Sequence, residues 1–254
     1  MKVISLVENR SKKEHILSEH GLSLYIEACG RRILFDMGQS EILLENARTL
    51  GVDLSRIDLA ILSHGHYDHG GGLKAFLSVN KKADVFLRES AHLPYYNGEK
   101  YIGLDPTLKG DPRLTELNED ISLGDGLSLV SINTAAPPSG QLSVRRGDGR
   151  LIPDGFDHEQ YLLIKERGKR ILVSGCSHKG VIPIVEHFKP DVFIGGLHFM
   201  SLPLGDELRE RGERLDALGC DIYTCHCTGE IQYEFLKKYI KRMKYLSAGD
   251  GIEI

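Results

Sequence analysis

Apolar residues recur along the chain with two periods, and the changes between them mark the elements. Runs at residues 3–7 and 22–28 predict two opening strands. A third strand covers 32–38 and ends in the carboxylate of Asp36 and a turn at Gly38. Ile42, Leu43, Ala47 and Leu50 fall at helical spacing, with Gly51 as the stop. Residues 57–62 read as a buried strand, 73–79 as a helix and 83–87 as another strand. Between 88 and 150 the regularity breaks. Pro94, Pro106, Pro112, Pro137, Pro138 and many glycines predict loops, with one or two strands that include 127–132. A second ordered stretch follows: strands 161–165 and 170–174 about a turn at Arg167-Gly168-Lys169, helix 180–188, strand 191–194, helix 206–218, strand 221–224 and helix 229–244. Lys237, Lys238, Lys241, Arg242 and Lys244 share that last helix with Phe235, Tyr239, Ile240 and Met243, so these charges read as its solvated face. Interleaved strands and helices, with two hairpin-like pairs, predict two sheets covered by outer helices. No linker or repeat divides the 254 residues, which we read as a single domain with a loop-rich middle.

Composition narrows the function classes. With 41% hydrophobic and 27% charged residues the chain is an ordinary globular one. A net charge of -4 offers no basic field for nucleic acid or an anionic membrane. No apolar run approaches the roughly 20 residues of a transmembrane helix. The first nine residues are charged too early for a signal peptide, so a cytoplasmic setting is expected. Cys29, Cys176, Cys220, Cys225 and Cys227 are odd in number and unevenly spread, which is no disulfide framework. In a reducing compartment, thiols near histidines are metal-linked or simply buried.

The chemistry concentrates after the 57–62 strand, in Ser63-His64-Gly65-His66-Tyr67-Asp68-His69-Gly70-Gly71-Gly72. Imidazole and carboxylate suit Zn²⁺, Fe or Mn. A strand alternates its side chains and cannot aim four of them at one point, whereas a tight turn permitted by the flanking glycines can. The plain alternative is a polar loop with chance histidines. Other candidates stand at later strand ends. Gly175-Cys176-Ser177-His178 closes one strand, Gly195-Gly196-Leu197-His198 another, and Cys225-His226-Cys227-Thr228-Gly229 the last. Cys176 and His178 read as further ligands, or as a buried structural cysteine beside a surface histidine. His198 reads as a substrate-facing acid/base group or an ordinary buried histidine. Cys225 and Cys227 alternate with His226, so on a strand they point away from it and read as core or outer-shell groups. Thr228 and Gly229 open a helix whose N-terminus would favour an anion, with Thr228 as donor or as plain cap. Arg145 and Arg146, from the irregular segment, would fold over the mouth and clasp phosphate.

The His64-x-His66-x-Asp68-His69 motif resembles the signature of the metallo-β-lactamase superfamily, and Phe35-Asp36-Met37-Gly38 resembles its first motif. The resemblance implies an α+β fold, an αβ/βα sandwich of two mixed sheets flanked by helices, with a metal site at one edge. It implies two divalent metal ions, zinc first and iron or manganese as alternatives. His64 and His66 would hold one ion, Asp68 and His69 the other, Cys176 would sit at a ligand position and His226 would be the final ligand. Asp68 carries a catalytic role as well in this reading. The family's usual third histidine for the first ion is absent from its place, and either His178 or His158 fills the gap. Together with Gly196-Leu197-His198 and Cys225-His226-Cys227, the motifs are similar to the branch named for dihydropterin-6-methyl-(ribofuranosyl)aminobenzene 5′-phosphate synthase. That branch implies either hydrolysis by a metal-bound hydroxide or transfer of a dihydropterin methyl group from its diphosphate to an arylamine. A small anionic substrate is the expected partner. Di-iron redox proteins of the superfamily carry Glu where this chain has His66, which speaks against that class.

Overall fold

Strand residues alternate between two buried faces, and this alternation builds the layers. The computed structural model describes residues 1–135 and 141–254, so Pro137 and Pro138 lie outside the described residues. Its first half runs β1 (Lys2–Val7), β2 (Ser23–Ala28), β3 (Arg31–Phe35), α1 (Ile42–Thr49), β4 (Leu59–Ile61), α2 (Tyr67–Gly70), α3 (Leu73–Val79) and β5 (Asp84–Arg88). Short strands follow: β6 (Tyr95–Asn97), β7 (Lys100–Tyr101), β8 (Leu114–Leu117), β9 (Ile121–Gly124), β10 (Leu127–Val130), β11 (Leu142–Arg145) and β12 (Leu151–Pro153). The rest runs β13 (Tyr161–Glu166), β14 (Lys169–Val173), α4 (Val181–Phe188), β15 (Val192–Gly195), α5 (Asp206–Ala217), β16 (Asp221–Thr224), α6 (Glu230–Leu236), β17 (Met243–Tyr245) and β18 (Gly251–Glu253).

Among the described residues these strands form two seven-stranded sheets, ordered β18-β1-β2-β3-β4-β5-β8 and β17-β16-β15-β14-β13-β10-β9. Both are mixed: β3 to β5 and β8 run parallel, as do β14 to β17, while the hairpin strands are antiparallel. Ile33 and Phe35 of β3 point inward and join Leu162, Ile164, Ile171, Val173 and Ile194 from the facing sheet in one apolar cluster. Leu34, between them, points outward and packs with Leu43, Ala47, Phe76 and Leu77 of α1 and α3. Leu172 and Phe193 do the same against α4, α5 and α6 on the far side. Period-two alternation with both faces apolar is what a helix-covered sheet requires. The arrangement is the α+β sandwich of two mixed sheets flanked by helices.

Three expectations change. The stretch from 88 to 150 holds several short strands, and β12-β11-β6-β7 make a small sheet of their own. Only β10 had a visible pattern, and it stops at Val130. The helix expected over 229–244 ends at Leu236, and Met243–Tyr245 pairs in parallel with β16. Tertiary pairing overrides the helical spacing there, so Lys244 belongs to an edge strand. The glycines around the histidine motif also serve differently. The motif turns by the single helical turn α2, and none of Gly65, Gly70, Gly71 and Gly72 has a positive φ. They are small because neighbours crowd them: a Cβ on Gly65 would lie 2.2 Å from the Ala91 carbonyl oxygen and one on Gly72 2.2 Å from that of Met37. Among the described residues no helix is long and apolar enough to cross a membrane.

Candidate metal centre

The chemistry-bearing residues collect just beyond the C-terminal ends of the parallel strands, where open α/β sheets leave a crevice. β3 delivers Asp36, β4 delivers Ser63 and the histidine motif, β14 delivers Cys176 and His178, β15 delivers His198, and β16 delivers His226. Several of these residues hold left-handed backbone: Asp36 (φ 59°), Ser177 (59°), His198 (56°) and His226 (49°). Non-glycine residues adopt this region at a cost of order 1–3 kcal/mol, and such residues cluster where side-chain direction matters.

Two sets of donors face each other in pairs. His64 Nε2 lies 3.3 Å from His178 Nε2. His69 Nε2 lies 3.2 Å from His226 Nε2 and 3.2 Å from Cys176 Sγ. Asp68 Oδ2 is 3.2 Å from His226 Nε2 and 3.6 Å from His69 Nε2. The other ring nitrogens show where the protons sit. His69 Nδ1 donates to Asp36 at 2.6 Å, His226 Nδ1 to Asn9 Oδ1 at 2.7 Å, and His64 Nδ1 to Ser63 Oγ at 2.8 Å. These partners leave Nε2 of His64, His69 and His226 as the nitrogen turned to a cation, while His178 Nδ1 is buried with no partner among the described residues. Two lone pairs at 3.2 Å repel unless a cation shares them, and this spacing suits donors around one ion with bonds of about 2.0–2.3 Å. His66 Nε2, buried with no hydrogen-bond partner among the described residues and 3.8 Å from Asp154 Oδ2, adds another donor. The residues therefore fit a divalent metal. Every ligand expected from the sequence, namely His64, His66, Asp68, His69, Cys176, His178 and His226, is in this buried cluster.

An outer shell holds the donors in place, as metal sites require. Asp36 accepts from Ser63 N–H, Ser63 Oγ–H and His69. Glu8 accepts the His226 N–H at 2.6 Å and the Tyr245 hydroxyl at 2.7 Å. Glu159 accepts the N–H groups of His178 and Lys179 and so fixes the turn after β14. His158 is not free to ligate: its Nδ1 accepts from Gly65 N–H and its Nε2 donates to Asp154. His178 therefore supplies the imidazole beside His64. His20, Asn9, Glu8 and Asp154 had no signal in the sequence. His20 Nε2 stands 3.3 Å from Asp68 Oδ2, and the Asn9 amide joins His20 to His226.

The electrostatics agree with a cation site. Burial holds His64 and His178 neutral by pushing their imidazoles well down. Burial would raise Asp68, but the surrounding histidines outweigh it and keep the carboxyl low and charged. Burial likewise opposes a charge on His69, yet Asp36 and Asp68 lift it to about 9, so without a metal ion a proton on Nε2 takes the place a metal cation would fill.

Other expected residues lie elsewhere. The Thr228 hydroxyl is buried, accepts from Leu197 N–H and pairs with Thr224, so it neither caps a helix nor faces a ligand. The helix begins at Glu230, past Gly229, with an acid in its first turn. Arg145 stacks on Tyr96, on the face of the small sheet opposite Tyr95, while Tyr95 packs on His158. Arg146 is exposed at the adjoining turn. His198 turns toward Cys227 and His178. Cys225 sits in the core between the sheets. A cavity of about 280 Å³ opens beside His226, lined by Asn9, Met200, Gly229, Gln232 and Tyr245 among others. A larger cleft of about 890 Å³, around Cys29, Arg31, Arg56 and Glu166, contains none of these ligands.

Known proteins are similar to this chain in sequence and fold. The family model of the metallo-beta-lactamase superfamily matches residues 19–152. The 7,8-dihydropterin-6-methyl-4-(beta-D-ribofuranosyl)-aminobenzene-5'-phosphate synthase of Methanocaldococcus jannaschii is 30% identical, over 93% of this chain and 90% of its own. A crystal structure of a metal-dependent hydrolase of the beta-lactamase superfamily is 30% identical, with a TM-score of 0.84 over 100% of this chain and 99% of that one. Zinc-bound PqqB from Methylobacterium extorquens, 11% identical with a TM-score of 0.61 over 100% of both chains, shares the fold.

Proposed function

The chain belongs to the metallo-β-lactamase superfamily, most of whose members are metal-dependent hydrolases, and we propose that it hydrolyses a small phosphate-bearing anion. The observation that carries this reading is the facing of ring nitrogens at 3.2 and 3.3 Å between histidines from opposite halves of the chain. His64, His66, His178 and Cys176 would hold one divalent ion, and Asp68, His69 and His226, with Cys176 alongside, a second. Zinc is the first candidate, with iron or manganese next. When bound, such an ion supplies Lewis acidity and makes water acidic near pH 7.

The chain's own residues do the rest. Asp36, Asn9 and Ser63 keep the imidazole protons on Nδ1. Asp68, at the mouth, keeps a charged carboxylate whose Oδ2 can take a proton from an attacking water. Arg146, exposed beside the small sheet, would meet a substrate phosphate. The free cysteines fit a reducing, cytoplasmic setting.

The test combines metal analysis of the purified protein with a screen of phosphodiesters, thioesters and dihydropterin diphosphates. His64→Ala should lose metal and turnover with the fold intact. Millimolar pyrophosphate should compete with substrate, Arg146→Ala should weaken that competition, and Arg145→Ala should leave it alone. A neutral ester turned over well without effect of pyrophosphate removes the phosphate reading. A wild-type protein that binds no transition metal removes the whole proposal. The synthase relative favours a second reading, transfer of a dihydropterin methyl group from its diphosphate to an arylamine. Pyrophosphate release that depends on added arylamine distinguishes it from hydrolysis.

A further inference from the structure

Cys227 belongs to neither histidine set, yet its thiol lies at their edge. Cys176 Sγ, Cys227 Sγ and a ring nitrogen of His198 all fall within 4.8 Å of one another. We propose that Cys176, Cys227 and His198 form a sulfur-rich sub-site for a thiophilic divalent ion, sharing Cys176 with the histidine sets and adding a second thiolate beside it.

Four observations point the same way. The donor types are two thiols and an imidazole, the mixture that soft and borderline ions prefer over carboxylate and water. Donors of a tetrahedral site with metal–sulfur bonds of about 2.3 Å lie roughly 3.3–3.8 Å apart, and the three atoms here lie within 4.8 Å of one another. His198 is held at φ 56°, and its Nδ1 is buried with no hydrogen-bond partner. The backbone also makes room for the thiol: a Cβ on Gly196 would lie 2.3 Å from Cys227 Sγ, so only glycine fits opposite it. Among the described residues Cys227 Sγ otherwise makes a weak bond, 3.4 Å to the Cys176 carbonyl oxygen. Cys225, two residues earlier, instead packs with Leu246 and Val173 in the apolar core. The chain thus turns one of these cysteines to the core and the other to the site.

Binding at this sub-site forms two metal–sulfur bonds and one metal–nitrogen bond, and the two thiol protons leave to solvent. Because Cys176 is common to all the sets, a soft ion here draws that thiolate away from His64 and His178 and from His69 and His226. The sub-site would therefore discriminate between metals, which goes beyond the hydrolase reading and rests on it only through Cys176.

Cadmium is the probe, because it prefers sulfur and reports it. One equivalent of Cd²⁺ added to the wild-type protein should give a near-ultraviolet thiolate-to-cadmium band. Cys227→Ser should cut that band to about half, and Cys225→Ser should leave it at full strength. His198→Ala should keep both sulfurs but weaken cadmium binding at least tenfold. X-ray absorption on the wild-type cadmium protein needs no variant and should count two sulfurs per ion. One sulfur per ion, or a full-strength band in Cys227→Ser, overturns the sub-site. If it is overturned while His64→Ala still strips zinc, the metal-enzyme reading survives. A wild-type protein that takes up neither cadmium nor zinc overturns both.

Discussion

Asp36 never touches the proposed ions, yet replacing it with Asn should weaken both of them. Its Oδ2 accepts from His69 Nδ1 at 2.6 Å and from Ser63 Oγ at 2.7 Å, and Ser63 Oγ in turn accepts from His64 Nδ1 at 2.8 Å. One carboxylate oxygen thus fixes the tautomer of an imidazole in each set. In Asp36→Asn the carbonyl oxygen can keep the Ser63 N–H, now at 2.7 Å from Oδ1, and the NH₂ then replaces Oδ2. A donor at that place makes His69 Nδ1 an acceptor and moves its proton to Nε2, the atom that should ligate. Ser63 Oγ must also accept, so its proton turns to His64 Nδ1 and that ring flips its tautomer as well. Rotating the amide instead sets NH₂ against a buried N–H, at about 1–3 kcal/mol. Loss of such an outer-shell partner typically weakens a metal site 10–100-fold, or about 1.4–2.7 kcal/mol. Asn tolerates the left-handed backbone of position 36, so the fold should persist. Zinc titration against a competing chelator measures both affinities, and ¹⁵N NMR of the imidazoles reads the tautomers directly. Affinities within threefold of wild type in a folded variant, with unchanged tautomers, would refute the reasoning.

Gly65→Ala puts a Cβ 2.2 Å from the Ala91 carbonyl oxygen and 2.9 Å from its Cα, where backbone must shift. Overpacking of that kind costs about 1–3 kcal/mol, which thermal denaturation should register as a melting point lower by roughly 2–10 °C; an unchanged melting point refutes it. Asp58 takes hydrogen bonds from Arg32 Nε, Nη2 and backbone N–H, which hold its carboxyl well below the usual range. A depressed carboxyl contributes stability above its unfolded pKa of about 3.9 and loses it as pH falls through the lower folded value. The stability gap between wild type and Asp58→Asn should therefore be widest at neutral pH and shrink below about pH 4 in denaturant melts; a constant gap would contradict the pairing. Cys29 is half-exposed and the other four cysteines are buried, so a thiol reagent should modify about one cysteine in the metal-loaded protein. Chelation should then speed labelling of Cys176, and equal rates with and without metal would count against ligation.

Much of this site was legible because its first part is local. His64, His66, Asp68 and His69 fall within six residues, where the end of β4 runs into the single turn α2, so they lie near one another by chain geometry alone. Cys176, His178 and His226 were visible as polar residues ending apolar strands. His20 and Asn9 were not, because nothing in their own neighbourhood marks them. They reach the site when the Leu22 N–H bonds the Asp68 carbonyl at 3.1 Å, a contact between segments 46 residues apart in number. Thr228 and Arg145 misled for a related reason: which partner a hydroxyl or guanidinium takes is decided by packing, and Leu197 and Tyr96 claimed them. The small sheet escaped notice because strands of two to four residues, largely exposed, carry too little alternation to register.

The first sheet places β18 against β1, so Lys2–Ile4 pair with Gly251–Glu253. During synthesis, β18 leaves the ribosome long after β1. Until then the edge of β1 is open, and the histidine turn after β4 waits for Cys176, His178 and His226. A half-made chain thus presents both an unpaired strand edge, which invites pairing with other chains, and an incomplete cluster of metal-seeking imidazoles. Both exposures end late, once β18 and the strand ends that carry these ligands have emerged.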